Sequence, residues 1–233
     1  MTTAVVQATR AQTAVVLLSG GMDSATLAYV ARDRGYRIIA LHVNYGQRTE
    51  AKERQCAQRI AALLEAVEFF EVDIGYLARI GASALTDRAI PVMDYSDTSG
   101  DLPATYVPFR NANLLSIATS LAEARRAEAI FIGAQASDYS GYPDCREEFM
   151  EAFQQVIDRG TRETTRIRLE APFVHMNKAE ILRIGLSLEV PYHETWSCYR
   201  NSDRACGRCG ACHFRREAFR QVGVPDPIPY GRE

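Results

Sequence analysis

Residues 14–34 read AVVLLSGGMDSATLAYVARDR. An apolar run, Ala14 to Leu18, has the length of a buried strand. Ser19, Gly20, Gly21, Met22, Asp23 and Ser24 then interrupt it. A helical pattern follows, with Leu27, Val30 and Ala31 on one face. Two glycines between a strand and a helix free the backbone for angles closed to other residues and let a ligand approach closely. The first helical turn adds unpaired N–H groups and the positive end of the helix dipole, a place to hold an anion. Ser19 and Ser24 add hydroxyl donors. Asp23 beside an anion needs a cation between them, which implies Mg²⁺. A tight turn with a serine cap explains Gly-Gly alone; the full string favours the anion loop.

The same alternation continues along the chain. RIIALHV (ending at Val43), VEFFEVD (ending at Asp73) and AIFIG (ending at Gly133) read as further strands. Ser24–Arg34, Thr49–Leu64, Asn111–Ala124 and Glu147–Asp158 read as helices, as does NKAEILRIGLSL. Strands alternating with helices predict an α/β fold, a Rossmann-like parallel sheet with helices on both faces. Residues 84–106 are polar and rich in Asp, Ser, Thr and Pro, and read as a long loop of the kind that often forms a lid. The chain has 233 residues and is 47% apolar, enough for one sizeable core. Its formal net charge of −2 carries no signal for nucleic acid. No run of about 18 apolar residues suggests a membrane span. The first dozen residues lack the pattern of a signal peptide and read as a loose tail, so the expected location is cytoplasmic.

In that compartment thiols stay reduced, and six cysteines need another use than disulfides. CYRNSDRACGRCGAC places Cys198, Cys206, Cys209 and Cys212 at a spacing of C-x7-C-x2-C-x2-C. Four thiolates around one tetrahedral ion point to Zn²⁺, with Gly207 and Gly210 giving the sharp turns. An iron–sulfur cluster is the rival, but its usual C-x3-C-P ending is absent, since His213 and Phe214 follow Cys212. Four protein ligands leave no open position, so the role is structural. Cys56 lies within a helical pattern as a core residue.

In a parallel sheet, ligands bind at the carboxyl ends of the strands. HVNYGQR follows the second strand, with His42, Tyr45, Gly46, Gln47 and Arg48. GAQASDYSGYPDCREEF follows the fourth, with Asp138, Ser140, Gly141, Tyr142, Asp144, Cys145 and Arg146. YVPFRNANLL precedes a long helix, with Arg110 and Asn111. Each is also what an ordinary hydrogen-bonded turn uses. Three such loops at one sheet edge suit a flat, nitrogen-rich heterocycle. Cys145 reads equally as a nucleophile or as a small packed residue.

The glycine loop lacks the lysine of the Walker pattern and resembles the pyrophosphate loop of the PP-loop ATPases (adenine nucleotide alpha hydrolase-like), which typically adenylate a substrate. SGGMDS, NYGQR, VPFRN, SGYPDCREEF, NKAEI, TWSCY and CGRCGAC occur in that order. Together they resemble the 7-cyano-7-deazaguanine synthases, nitrile-forming ligases of queuosine biosynthesis. The resemblance covers nearly the whole chain beyond its first dozen residues. It implies 7-carboxy-7-deazaguanine, ammonia and ATP as substrates, an adenylated carboxylate, an amide, and a second activation to the nitrile. It implies ATP along Leu18, Ser19, Gly20, Gly21, Met22, Asp23, Ser24, Ala25, Thr26 and Leu27, with Mg²⁺ held by Asp23. Lys178 is expected to stabilise phosphate charge beside Asp23 and Ser24. Arg110 or Arg146 is expected to pair with the substrate carboxylate. Tyr45, Gln47, Arg48, Asn111, Asp138, Ser140, Gly141, Tyr142 and Asp144 are expected at the heterocycle. Zinc is expected on the four cysteines, and a homodimer without nucleic-acid or membrane partners. The expected organisation is a tail over 1–12, an ATPase domain over 13–195 and a zinc-binding appendage over 196–233. A PP-loop tRNA thiolase would need a tRNA-binding surface, of which the charge gives no sign. A zinc-bearing module that binds ATP without turnover is the rival outside catalysis.

Overall fold

Among the described residues, five strands bear out the expected alternation. The computed structural model describes residues 11–97, 102–135 and 142–231. The strands are β1 (Thr13–Leu17), β2 (Arg37–Asn44), β3 (Glu68–Asp73), β4 (Ala129–Phe131) and β5 (Arg168–Glu170). They form one sheet in the order β3-β2-β1-β4-β5, and every neighbouring pair is parallel. The helices are α1 (Met22–Asp33), α2 (Glu50–Leu63), α3 (Tyr76–Ile80), α4 (Arg110–Arg125), α5 (Glu147–Gly160), α6 (Lys178–Ser187) and α7 (Gly210–Val222). The expected tail lies outside the described residues up to residue 10. The Gln12 carbonyl already accepts a bond from the Arg37 N–H, at 2.8 Å.

Side-chain alternation along β1 divides the interior in two. Ala14 and Val16 face a cluster built with Ala28 of α1, Ile60 of α2, Ile181 of α6 and Phe219 of α7. Val15 and Leu17 face the opposite cluster, with Leu115 of α4 and Phe153 and Ile157 of α5. A sheet buried on both faces needs apolar residues at successive positions, which is why β1 and most of β2 read as near-continuous apolar runs. α6 starts from a capping box: Asn177 Oδ1 accepts from the Glu180 N–H (3.0 Å) and Glu180 Oε2 from the Asn177 N–H (2.8 Å).

β5, α3 and α7 were not foreseen. α7 joins the cysteine-bearing segment to the main core, since Ala218 and Phe219 pack in the same cluster as α1 and α6. Residues 84–97 form a strap rather than a lid. Arg48 donates to the carbonyls of Ala84 (2.6 Å), Asp87 (2.8 Å) and Ile90 (2.6 Å). At the far end the Tyr95 N–H donates to the Arg208 carbonyl at 2.8 Å, and Asp94 pairs with Arg200. Among the described residues no helix is long and apolar enough to cross a membrane.

One buried ion pair locks the C-terminal segment in place. Arg215 of α7 is fully buried; its guanidinium donates to both carboxylate oxygens of Asp226 (2.8 and 3.0 Å), to Thr195 Oγ1 (2.8 Å) and to the Tyr192 carbonyl (3.1 Å). Removing one partner of such a pair leaves an uncompensated buried charge. Asp226→Ala is expected to lower unfolding free energy by about 3–5 kcal/mol, read from urea denaturation.

Candidate active site

β1 and β4 lie side by side in the sheet while their connections leave in opposite directions. The crevice at their carboxyl ends is the topological switch point of such a sheet. A cavity of about 280 Å³ opens there. Its floor comes from Leu18, Ser19, Gly21, Met22, Asp23 and Ser24, and Gly133 and Ala134 close it beyond β4.

The glycine loop has the form an anion site needs. Gly20 adopts φ +85°, and a Cβ there would collide with the Glu53 carbonyl and lie 2.9 Å from the Ala57 nitrogen. Only glycine lets α2 approach this closely. The Ser19 and Ser24 hydroxyls are 3.0 Å apart, and Ser24 Oγ donates to the Gly21 carbonyl at 3.1 Å. α1 has no side-chain cap, so its leading N–H groups remain for a ligand or water. Lys178, the first residue of α6, donates to Asp23 Oδ2 at 2.8 Å and to Gln135 Oε1 at 3.2 Å. Asp23 Oδ1 is buried without a hydrogen-bond partner among the described residues. A buried carboxylate oxygen left in this state suits a hard cation, and the donor set fits Mg²⁺.

Opposite the loop, Arg110 of α4 donates to the Tyr45 hydroxyl (3.3 Å) and stacks over its ring at 5.4 Å. Glu53 of α2 enters the same cavity. Its Oε1 accepts from Thr49 Oγ1 (2.7 Å) and its Oε2 from Gln47 Nε2 (3.2 Å). Burial pushes its carboxyl above the usual carboxylate range.

Several expected residues have structural work instead. Ala25 and Leu27 are core residues, and Thr26 Oγ1 turns inward to the Met22 carbonyl and the Tyr192 hydroxyl. Arg48 faces the strap. Gln47 braces the turn, accepting from the Tyr45 N–H at 2.9 Å. Asp144 is buried and caps α4 from outside, Oδ2 accepting from the Asn111 N–H at 2.9 Å. Tyr142 pairs with Thr105 at 2.8 Å, and burial pushes its phenol up to about 12. Arg146 is exposed ahead of α5 and does not line the cavity. Asn111 does line it, with its amide donating to the Asp144 carbonyl (2.9 Å) and to Cys145 Sγ (3.2 Å). Cys145 also lines it, but burial pushes its thiol up, which favours the packed reading over the nucleophile. Asp138, Ser140 and Gly141 lie outside the described residues.

The cysteine loop supplies a wall that sequence reasoning missed. The Sγ atoms of Cys198, Cys206, Cys209 and Cys212 lie within 4.8 Å of one another, and those of Cys206 and Cys212 are 3.9 Å apart. A tetrahedron with metal–sulfur bonds of about 2.3 Å has edges of about 3.8 Å, so the cluster is ready for one ion. Backbone N–H groups of Arg200, Asn201 and Cys206 point at Cys198 Sγ at 3.3–3.4 Å, a pattern that stabilises thiolate. Trp196, Ser197, Tyr199, Ala211 and Phe214, all from this segment, face the cavity. No spacing rule marks them; only the folded loop brings them round.

A lysine-free glycine loop at the switch point of a 3-2-1-4-5 sheet is the arrangement of the PP-loop ATPases, and this chain has their fold. An NMN synthetase from Francisella tularensis superposes with a TM-score of 0.50 over 92% of this chain and 79% of its own, at 17% identity. A predicted subunit of tRNA methyltransferase from Methanocaldococcus jannaschii also gives 0.50, over 95% of this chain and 93% of its own, at 14% identity. Such identities speak to the fold alone. Sequence similarity reaches further: the family described as Queuosine biosynthesis protein QueC matches residues 13–223. A 7-cyano-7-deazaguanine synthase from Methanoculleus marisnigri is 64% identical over 94% of this chain and 99% of its own length. Relatives of the same name from Haloarcula marismortui (55% over 93% of this chain and 94% of theirs) and Sulfurovum sp. (49% over 93% and 97%) also match. The chain belongs to the QueC family.

If the cluster is a structural metal site, its loss should be felt by the fold and by the cavity wall together. Cys209→Ser is expected to lower metal content and melting temperature in parallel, measured by elemental analysis and calorimetry. Unchanged melting with lost metal would detach the ion from the fold.

Proposed function

We propose that this chain forms 7-cyano-7-deazaguanine from 7-carboxy-7-deazaguanine and ammonia, with ATP activating first the carboxylate and then the amide. As a member of a family of synthases it is an enzyme, a ligase that makes a C–N bond. One observation carries the finer reading: a single cavity joins the glycine loop and the Asp23–Lys178 pair to the Arg110–Tyr45 pair. A carboxylate is a poor electrophile until one of its oxygens becomes a leaving group. Two anionic substrates must therefore be brought together, and the protein's task is to position them and offset their charge.

The α1 N-terminus with Ser19 and Ser24 would hold the β- and γ-phosphates as one unit, leaving the α-phosphorus open to attack. Asp23, through its unpartnered oxygen, would hold Mg²⁺, which supplies charge neutralisation to the phosphates. Lys178 then exchanges its contact with Asp23 for the phosphates. Arg110 pairs with the substrate carboxylate, and its contact with Tyr45 fixes its direction. Asn111 offers an amide to the heterocycle. Zn²⁺ is the proposed ion on the four cysteines, as the tetrahedral all-thiolate donor set favours. The resemblance supports a homodimer, the −2 charge is consistent with small-molecule substrates and no nucleic acid, and free thiols suit a cytoplasmic location.

Asp23 acts on ATP and contributes little to the fold. Asp23→Ala is expected to keep the melting temperature and to lose nearly all turnover; activity at a tenth of wild type or better would move Mg²⁺ elsewhere. The mechanism also fixes the nucleotide products. With excess ammonia, chromatography is expected to show AMP and pyrophosphate, two of each per nitrile, with the amide accumulating when ATP is limiting. ADP and inorganic phosphate formed directly would overturn it.

A further inference from the structure

Making the amide requires a base. When ammonia attacks the activated carboxylate, the N–C bond forms and the nitrogen gains a positive charge. The C–O bond to the phosphate then breaks, its electron pair leaving on the AMP oxygen, and one N–H proton must go to an acceptor. Nothing in the substrate-binding roles above supplies that acceptor.

The cavity offers few choices. Its acidic lining residues, among those described, are Asp23 and Glu53. Asp23 pairs with Lys178 at the glycine loop and is assigned to Mg²⁺ in the proposed reaction. Arg110 is a permanent cation. The Tyr45 phenol and the Cys145 thiol are both pushed up by burial and keep their protons. Glu53 differs from all of these. It makes no ion pair among the described residues, and its hydrogen bonds come from neutral donors, the Thr49 hydroxyl and the Gln47 amide. Each carboxylate oxygen keeps a further lone pair.

Its position also fits. On one side the Glu53 backbone packs against Gly20 of the phosphate loop. On the other side stands Tyr45, which touches Arg110. Among the described residues, the charged and titratable groups that face Glu53 are Tyr45 and His42 from β2 and its exit, Arg110 from α4 and Cys56 on α2 itself. We infer that Glu53 is the general base that takes the proton from the ammonia nitrogen as the C–N bond forms. This inference rests on the proposed reaction. Burial that raises the proton affinity of a carboxyl moves it toward the range a base needs near neutrality.

The test separates adenylation from amide formation in the full-length, metal-loaded enzyme. Exchange of labelled pyrophosphate into ATP, dependent on 7-carboxy-7-deazaguanine, reports the first step without ammonia. Amide and nitrile formation, followed by mass spectrometry across pH, report the second. Glu53→Gln is expected to keep exchange within about threefold of wild type while amide formation falls roughly 10²–10⁴-fold. With the concentration of free NH3 held fixed at every pH, the wild-type rate should decline on the acid side as the base is protonated, and that decline should vanish in the variant. Glu53→Asp, which keeps a carboxylate at a shorter reach, should recover part of the rate and keep the acid decline. It carries the test alone if Glu53→Gln does not fold, and wild-type kinetics in Glu53→Asp would then overturn the inference. Amide formation by Glu53→Gln near the wild-type rate with the acid decline intact would also overturn it. So would equal loss of exchange and amide formation with a raised KM for the deazapurine, which would make Glu53 a brace for the Tyr45 turn. Absence of exchange in the wild type would instead sink the proposed reaction itself.

Discussion

Gly20 is the point where three parts of the chain are forced together. α2 passes so close that no side chain fits there, the Trp196 N–H donates to the Gly20 carbonyl at 2.9 Å, and α1 begins two residues later. The glycine loop is thus held from behind by a helix and from the side by the cysteine-bearing segment. Any substituent at Gly20 would have to displace α2 backbone, and α2 carries Glu53. Loop conformation, the helix dipole aimed at the cavity and the seating of the C-terminal segment all follow from one contact.

Charge within the molecule is handled in two ways. Arg215 and Asp226 are buried, fully hydrogen-bonded and far from any role that needs them to move. Asp23 is only partly satisfied beside Lys178, with its Oδ1 and the Gln135 amide nitrogen left without partners among the described residues. A complete network rigidifies, whereas an incomplete one stores an unmet demand that a ligand can meet. The difference separates Arg215, a finished architectural contact, from Asp23, whose free oxygen suits the role proposed for it.

The parts of the fold that were legible in the sequence are those where side chains alone decide the structure. β1, β2 and β4 are apolar because both faces of the sheet are covered there, and the half-exposed edge strand β3 still shows Phe69, Phe70 and Val72 between its acids. β5 is Arg-Leu-Glu at an edge, held by backbone bonds such as the Arg168 N–H to the Glu128 carbonyl at 3.0 Å, and no side-chain pattern reports it. α7 was hidden because Cys209 and Cys212 suggest a metal knuckle, and inward-facing Arg215 breaks the apolar stripe. The cysteine cluster was readable because its spacing is local. The turn residues were misleading for a physical reason. Gln47, Arg48 and Asp144 have the chemistry of ligand contacts, but backbone groups claim them first: Gln47 its own turn, Arg48 the distant strap and Asp144 the start of α4. Glu53 sits in an ordinary-looking run, EAKERQ, and only its direction in the fold distinguishes it.

A metal with four protein ligands has no position for substrate, so any influence on chemistry must pass through geometry. The structure provides a short route. Thr49 Oγ1 lies 2.7 Å from Glu53 Oε1 and 3.3 Å from the Cys198 carbonyl. Cys198 belongs to the cysteine cluster, and two residues before it Trp196 both lines the cavity and grips Gly20. The cluster therefore sets the wall that Trp196 and Phe214 present, the seat of the phosphate loop and one hydrogen-bond partner of Glu53. The cluster spans the loop of Cys198 and Cys206 and the start of α7 at Cys209 and Cys212, so an ion on the proposed four thiolates would tie that loop to the helix beside the cavity.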